Sequence, residues 1–355
     1  MQPTPTLVLL GGFLGAGKTT LILTAARLLQ SRGMKAAAIL NDQGSELVDT
    51  ELVRNSGVDA DQVGGGCFCC RFSDLIDAAD RLREYAPDVI FAEAVGSCTD
   101  ISATTLQPLK LNYRDQFRLA PYTVLVDPER AKELTDSAAD SDLSFLFQKQ
   151  IDEADLLCFT KSDIHTAYPE LHAGPVRYFS PLTGEGVASW LDEIMGSQQD
   201  VGTKILDIDY ARYARAEASL AWLNCTVELT LDQALSASSV VGPLLDGLDV
   251  TLTERGLRIA HLKVIDDSPS GYIKASIVKN GQEPSVRGAL DASPAVSHSL
   301  VLNIRATGDP MTLREVVETQ LSKLPGRIEV RAMQSFSPAP PNPEHRLNFV
   351  VQQAS

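Results

Sequence analysis

The eight residues Gly12-Phe13-Leu14-Gly15-Ala16-Gly17-Lys18-Thr19 satisfy the pattern G-x-x-x-x-G-K-[ST] in full. That pattern works only where a buried strand leads into it and a helix begins at its end. The flanks comply: Leu7–Leu10 is a short aliphatic run of strand character, and Thr20–Gln30 carries a helical pattern. Glycines let backbone N–H groups curl around phosphate oxygens, and the helix N-terminus adds partial positive charge. Gly12, Gly15, Ala16, Gly17, Lys18, Thr19 and Thr20 are therefore the expected phosphate-binding residues. Lys18 would reach the β- and γ-phosphates of a nucleotide, and the Thr19 hydroxyl would bind Mg²⁺.

The first half of the chain repeats this alternation. Ala36–Leu40, Val89–Ala92, Thr123–Val126 and Leu156–Phe159 read as buried strands of a parallel sheet. Ser73–Tyr85 is an amphipathic helix with Ser73 as expected N-cap and Leu75, Ile76, Ala79 and Leu82 on one face. The pattern predicts an α/β domain over 1–195, a P-loop NTPase fold with a mainly parallel sheet flanked by helices. A polar, glycine-containing linker is expected at 196–204. The rhythm then changes. Ala218–Leu229, Leu257–Ile265, Tyr272–Val278, Ser299–Ile304 and Ile328–Ala332 read as strands, with helices near Asp232–Leu245 and Met311–Leu324. This predicts a smaller α+β domain over 205–336, its helices on one side of the sheet. The proline-rich start of the tail, 337–355, cannot continue a helix or a central strand and is expected to be an extended arm.

Composition excludes several classes. A length of 355 residues is ample for buried cores without disulfide staples. The net charge of −15 opposes general nucleic-acid binding, though not one bound nucleotide. No apolar run approaches the roughly 20 residues of a membrane span, and the N-terminus lacks the basic start and apolar segment of a signal peptide. The expected location is the cytoplasm, with no nucleic-acid or membrane partner.

In such a reducing compartment, the run Gly64-Gly65-Gly66-Cys67-Phe68-Cys69-Cys70 points to metal or redox chemistry. Three thiols sit close enough to share one soft cation, and Zn²⁺ would take a fourth donor. A redox pair is the alternative, although the spacing is not C-x-x-C. Cys98 follows the strand Val89–Ala92, on the sheet edge where α/β folds bind ligands. Two readings of it stay open: a fourth thiolate, or a small residue packed beneath the cysteine loop.

The base is addressed by a different segment. Thr160-Lys161-Ser162-Asp163 follows Leu156–Phe159 directly and resembles the guanine motif N-K-x-D, with Thr for Asn. A carboxylate at Asp163 would accept from the guanine N1–H and amino group, which adenine does not offer at that edge; the Lys161 stem would cover the base. The loop beginning at Ser180 would lie beside the base. Both segments also read as plain strand-to-helix connections.

Taken in order, these segments resemble the CobW/HypB/UreG family of metallochaperone GTPases, and most closely its CobW branch, which includes proteins labelled cobalamin-synthesis and nitrile hydratase activator proteins. The resemblance covers the first 195 residues and includes Gly11–Thr20, the Gly-Cys-Phe-Cys-Cys run at 66–70, Glu93-Ala94-Val95-Gly96 as an E-x-x-G motif, and Gln150 with Ala154-Asp155. It implies a GTPase of slow intrinsic turnover. Such a protein binds zinc or cobalt at Cys67, Cys69 and Cys70 and delivers it to a metal-requiring client. It also implies that Glu93 acts at the Mg²⁺–γ-phosphate end, and that Asn41-Asp42-Gln43-Gly44 is a switch segment with Asp42 as its acid, beside Glu46 and Asp49. The chain departs from the family at Thr160, in lacking histidine-rich tracts, and in lacking an R-P-F-H-P-type signature. Two other classes stay open: a non-enzymatic metal sensor or buffer, and an ATPase or small-molecule kinase using the same loop.

Overall fold

The computed structural model describes residues 4–43, 50, 53–54, 56–135, 142–171, 176–197 and 199–352. The chain forms two compact units, Met1–Ala216 together with Pro340–Ser355, and Glu217–Ala339.

The first unit is built on strands β1 (Thr6–Gly12), β2 (Ala36–Asn41), β3 (Asp59–Val63), β4 (Val89–Glu93), β5 (Arg118–Leu119), β6 (Thr123–Val126), β7 (Leu156–Phe159) and β8 (Val176–Tyr178). The order is β3-β2-β4-β1-β6-β7-β8, with β5 beside β1, and every pairing is parallel. Among the elements described in full, the helices are α1 (Lys18–Ser31), α2 (Phe72–Arg83), α3 (Gln107–Asn112), α4 (Pro128–Thr135), α5 (Asp142–Glu153), α6 (Val187–Gly196) and α7 (Tyr210–Ala218), with a π-helical turn at Ser102–Leu106. Strand side chains alternate between faces. Val8 and Leu10 of β1 pack with Leu21, Ile22 and Leu29 of α1 and with Trp190 and Leu191 of α6. Leu7 and Leu9, on the opposite face, are as fully buried. A sheet covered on both sides leaves its C-terminal edge as the place for polar loops.

Two local expectations change. Ser73 does not cap α2: the helix begins at Phe72 behind Arg71, which makes no side-chain cap. Ser73 lies inside the first turn, where N–H groups have no helical acceptor, and Glu344 supplies one. Where a linker is expected at 196–204, the chain is bonded to the first unit. Gly202 N–H donates to Asp155 (2.7 Å), and Lys204 donates to the carbonyl of Ala154 (2.6 Å). The division into units falls later, after Ala216.

The second unit contains β9 (Leu220–Leu235), α8 (Ala237–Glu254), β10 (Ile259–Ser268), β11 (Gly271–Ile277), β12 (Ser285–Gly288), β13 (Ala295–Thr307), α9 (Pro310–Leu321) and β14 (Arg327–Phe336). They form an antiparallel sheet in the order β12-β11-β10-β13-β9-β14. Alternate β9 residues, Leu223, Cys225, Val227 and Leu229, form one core with Leu244, Leu245 and Leu248 of α8 and Val316 and Val317 of α9. Both helices therefore cover a single face, as the strand and helix order predicts. β9 runs on to Leu235, so α8 starts later than the expected Asp232; Ser236 sets the start by accepting the Ser239 N–H at 3.2 Å. Among the described residues, no helix is long and apolar enough to cross a membrane.

Candidate functional site

β1 delivers the phosphate loop. Gly12 has φ 126°, and a Cβ there would stand 2.3 Å from the Leu125 carbonyl oxygen, so only glycine lets β1 and β6 approach this closely before the turn. Lys18 is 6% exposed, and its Nζ donates to the Gly12 carbonyl at 2.7 Å, arching over the loop it opens from. The next residue, Thr19, donates its hydroxyl to Glu93 (2.9 Å to Oε2, 3.2 Å to Oε1). Glu93 is 74 residues away in sequence, and parallel pairing of β1 with β4, with Leu10 opposite Glu93, brings the two together. A hydroxyl beside a carboxylate at a phosphate loop is a hard oxygen donor set that fits Mg²⁺.

Two further loops meet the first. Thr160 is fully buried at the end of β7, and its hydroxyl donates to the carbonyl of Ala16 at 2.9 Å, tying its segment to the phosphate loop. Lys161 pairs with Asp127 at 2.5 Å, and Asp163 is exposed. Asp127, 3% exposed just after β6, was not among the expected site residues; a lone acid in a loop carries no sequence signal. Ser180 is also buried, its hydroxyl accepts the Thr183 N–H at 3.1 Å, and Thr24 of α1 donates to the Pro181 carbonyl at 2.7 Å. The loops after β1, β7 and β8 thus converge at one sheet edge.

The thiols lie at the same edge, on the loop that follows β3. The Sγ atoms of Cys67 and Cys69 are 2.8 Å apart, and each is 3.6 Å from that of Cys70. The Cys98 sulfur lies 3.9 Å from that of Cys69. A tetrahedron with Zn–S bonds of about 2.3 Å has edges of about 3.8 Å. Both separations to Cys70 match that edge, and the Cys67–Cys69 pair would open by about 1 Å to admit the ion, while Cys98 is near Cys69 but outside the group of three sulfurs that all lie within 4.8 Å of one another. Cys67, Cys69 and Cys98 are buried, and Cys70 is half-buried.

Burial and mutual contact set the protonation of these thiols. The neighbouring Cys67 thiol and burial push Cys70 up to about 11, and contact with Cys67, Cys70 and Cys98 holds Cys69 well above the usual range. Cys67 is raised as well: its bonds to Cys69 and Cys70 pull it down, but Cys98 and burial outweigh them. A cation entering the cluster therefore displaces protons, and its affinity rises with pH.

Long-range contacts hold both thiol-bearing loops. Asn41, at the end of β2, donates to the carbonyls of Val63 (2.9 Å) and Gly66 (2.7 Å) and accepts the Phe68 N–H (2.9 Å). It stands in the expected switch segment, but its visible work is to hold the cysteine loop. The loop from Ala94 to Cys98 continues directly from Glu93. A Cβ at Gly96 would sit 2.8 Å from the Leu14 side chain, so this loop packs directly on the phosphate loop. Gln150 donates to the carbonyls of Gly96 (3.0 Å) and Cys98 (2.9 Å). Glu153 accepts from the Thr99 hydroxyl (2.9 Å) and the Ser102 N–H (3.1 Å). Burial raises its carboxyl to about 8, against those bonds, so it is mostly protonated at neutral pH. Asp42 follows Asn41, half-buried. Gly44, Glu46 and Asp49 lie outside the described residues.

Residues 6–174 match the family model described as CobW/HypB/UreG, nucleotide-binding domain. The zinc chaperone YjiA of Escherichia coli (strain K12) is 30% identical over 173 residues, covering 46% of this chain and 51% of its own. The zinc chaperone CobW of Sinorhizobium sp is 29% identical over 178 residues, covering 43% of this chain and 49% of its own. The chain spans about half the length of the curated relatives it matches. The crystal structure of HypB from Helicobacter pylori in complex with nickel matches with a TM-score of 0.41 and 16% identity, over 54% of this chain and 86% of that one.

Proposed function

We propose that this chain, whose residues 6–174 match the model described as CobW/HypB/UreG, nucleotide-binding domain, is a GTP-hydrolysing metallochaperone that carries zinc or cobalt on Cys67, Cys69 and Cys70 and hands it to a client protein. The observation that carries the reading is convergence. A complete phosphate loop and a cluster of sulfurs within 4.8 Å of one another open on the same sheet edge, joined by the few residues between Glu93 and Cys98. Soft thiolates select zinc or cobalt over the hard cation of the nucleotide site.

Each residue then has a task. The Gly12–Thr20 backbone holds the phosphates, and Lys18 moves from the Gly12 carbonyl to the β- and γ-phosphate oxygens, where it offsets charge that develops during hydrolysis. Thr19 and Glu93 would hold Mg²⁺, which would supply positive charge to offset that of the phosphates. Asp42, at the same edge, orders the attacking water. Asp163 accepts from the guanine N–H groups, Lys161 covers the base, and Thr160 and Ser180 fix the loops around it. Cys98, 3.9 Å from Cys69 but outside the group of three sulfurs within 4.8 Å of one another, would move inward to serve as a fourth thiolate. All six cysteines are free, which suits work in the reducing cytoplasm.

The test is metal analysis of the purified chain alongside nucleotide turnover. One zinc or cobalt per chain and phosphate release from GTP in preference to ATP are expected. Asp163→Ala should reduce the GTP preference about tenfold or more, because adenine already leaves the site's acceptor unpaired in the parent. A chain without metal, or with equal turnover of ATP and GTP, overturns the reading.

A further inference from the structure

After β14 the chain returns to the first unit, and the tail lies along both thiol-bearing loops. The Asn342 N–H donates to the Cys70 sulfur at 3.2 Å, and the Glu344 N–H donates to the Cys69 carbonyl at 2.9 Å. The Glu344 carboxylate accepts the N–H (3.0 Å) and the hydroxyl (2.6 Å) of Ser73, in the first turn of α2. On the other side, Arg346 pairs at 2.8 Å with Asp100, which is itself buried and accepts the Tyr210 hydroxyl at 2.7 Å. The Leu347 N–H donates to the Ala103 carbonyl at 3.0 Å. The contacts therefore run first along the Cys67–Cys70 loop and then along the segment that follows Cys98.

Two features argue that this is a built contact. Prolines at 338, 340, 341 and 343 restrict the segment before it docks, which lowers the entropy lost on ordering. Arg346 also matches a buried carboxylate, which is costly to leave without a charged partner. Cys70, the half-buried member of its loop's three cysteines, is the one whose sulfur accepts a hydrogen bond from the tail.

We infer that residues 342–347 are a strap over the metal site and that Cys70 is the sulfur through which metal enters and leaves. Closed, the strap supplies an N–H to the Cys70 sulfur and blocks an approaching ligand; open, it exposes Cys70 to a thiol of the receiving molecule. In that exchange the incoming thiol gives up its proton and bonds the metal, the metal–Cys70 bond breaks, and Cys70 takes up a proton. No oxidant or reductant is involved. The inference rests on the metal-carrying reading above and adds what controls release.

The experiment uses the full chain and Glu344→Ala/Arg346→Ala. Zinc-loaded protein is mixed with a chromogenic thiol-competing zinc chelator, and release is followed in time. The variant should release zinc about tenfold faster, the effect of losing charge-assisted contacts worth about 1.4 kcal/mol. A release rate equal to the parent's overturns the strap. The metal-free chains are also alkylated with iodoacetamide and mapped by mass spectrometry. Faster labelling confined to Cys70 supports the strap. An equal gain at Cys158 and Cys225, buried in β7 and β9, shows general loosening and overturns it. If the parent holds no zinc, the metal-carrying reading fails, and the alkylation arm still decides whether the tail shields Cys70.

Discussion

The phosphate loop and the cysteine loop share a sheet edge and a run of glycines, but they are held in place by different means. The phosphate loop is shaped mainly by its neighbours in sequence: β1 leads in, Gly12 lets the chain turn against β6, and α1 starts at Lys18, with Thr160 and Glu93 bracing it from a distance. The cysteine loop is positioned from a distance. Asn41 anchors it 25 and 27 residues upstream, and Glu344 binds 271 residues downstream at Ser73. Cys98 is held by Gln150. A loop fixed locally is ready whenever the strand and helix form. A loop fixed by remote contacts can respond to what happens at those contacts, and this is the property a site needs if it is to release what it binds.

The largest expected effect breaks the local loop. Lys18→Ala removes the cation now bonded to the Gly12 carbonyl and should lower GTP turnover about a hundredfold or more, with zinc content unchanged. Phosphate release and metal analysis on the same preparation check this. Asn41→Ala attacks the remote support instead. It deletes three hydrogen bonds to the cysteine segment and should weaken zinc binding about tenfold while nucleotide affinity stays within about twofold of the parent. Equal losses at both sites would mean the two loops are not separately supported.

A smaller effect sharpens the ligand set. With Co²⁺ in the site, Cys98→Ser should reduce the sulfur-to-metal charge-transfer band by about one quarter, the share of one thiolate in four. An unchanged band leaves a three-cysteine site with an open position. The smallest effect concerns Glu153. Its folded carboxyl, raised to about 8 by burial, sits above the unfolded value of 4.5, so the stability it contributes is complete below 4.5 and lost as pH rises through about 8. Glu153→Gln cannot titrate and should flatten the fall of thermal midpoint between about pH 6 and about pH 8.5. Asp100, also raised by burial, leaves a weaker slope of the same sign.

Much of this was open to reading before any coordinates. The phosphate loop, the strand–helix alternation, the clustered thiols and the antiparallel second unit each depend on residues close in sequence, where periodicity and spacing carry the information. Lys18, Thr19, Cys67, Cys69 and Cys70 could be picked out for that reason. Asn41 stood inside a quoted motif, but only its position beside Gly66 and Phe68 reveals its task.

Other features depended on tertiary structure. Pairing of β1 with β4 set Glu93 against Thr19, and the folding of the loop after β4 set Cys98 against Cys69. Ser73 has the residue type of an N-cap, but it lies inside the first turn of the helix, where a carboxylate from the tail bonds it. The composition of residues 337–343 excludes helix and central strand, and so predicted an extended arm; it could not say where the arm lies. Extended chain has no internal hydrogen bonds, so its place is chosen by whichever distant sulfur, carbonyl and charge it meets. Here those are Cys70, Cys69 and Asp100. Local propensity determined the elements of this protein, and the contacts between residues hundreds of positions apart, which no sequence window contains, decided what covers its thiols.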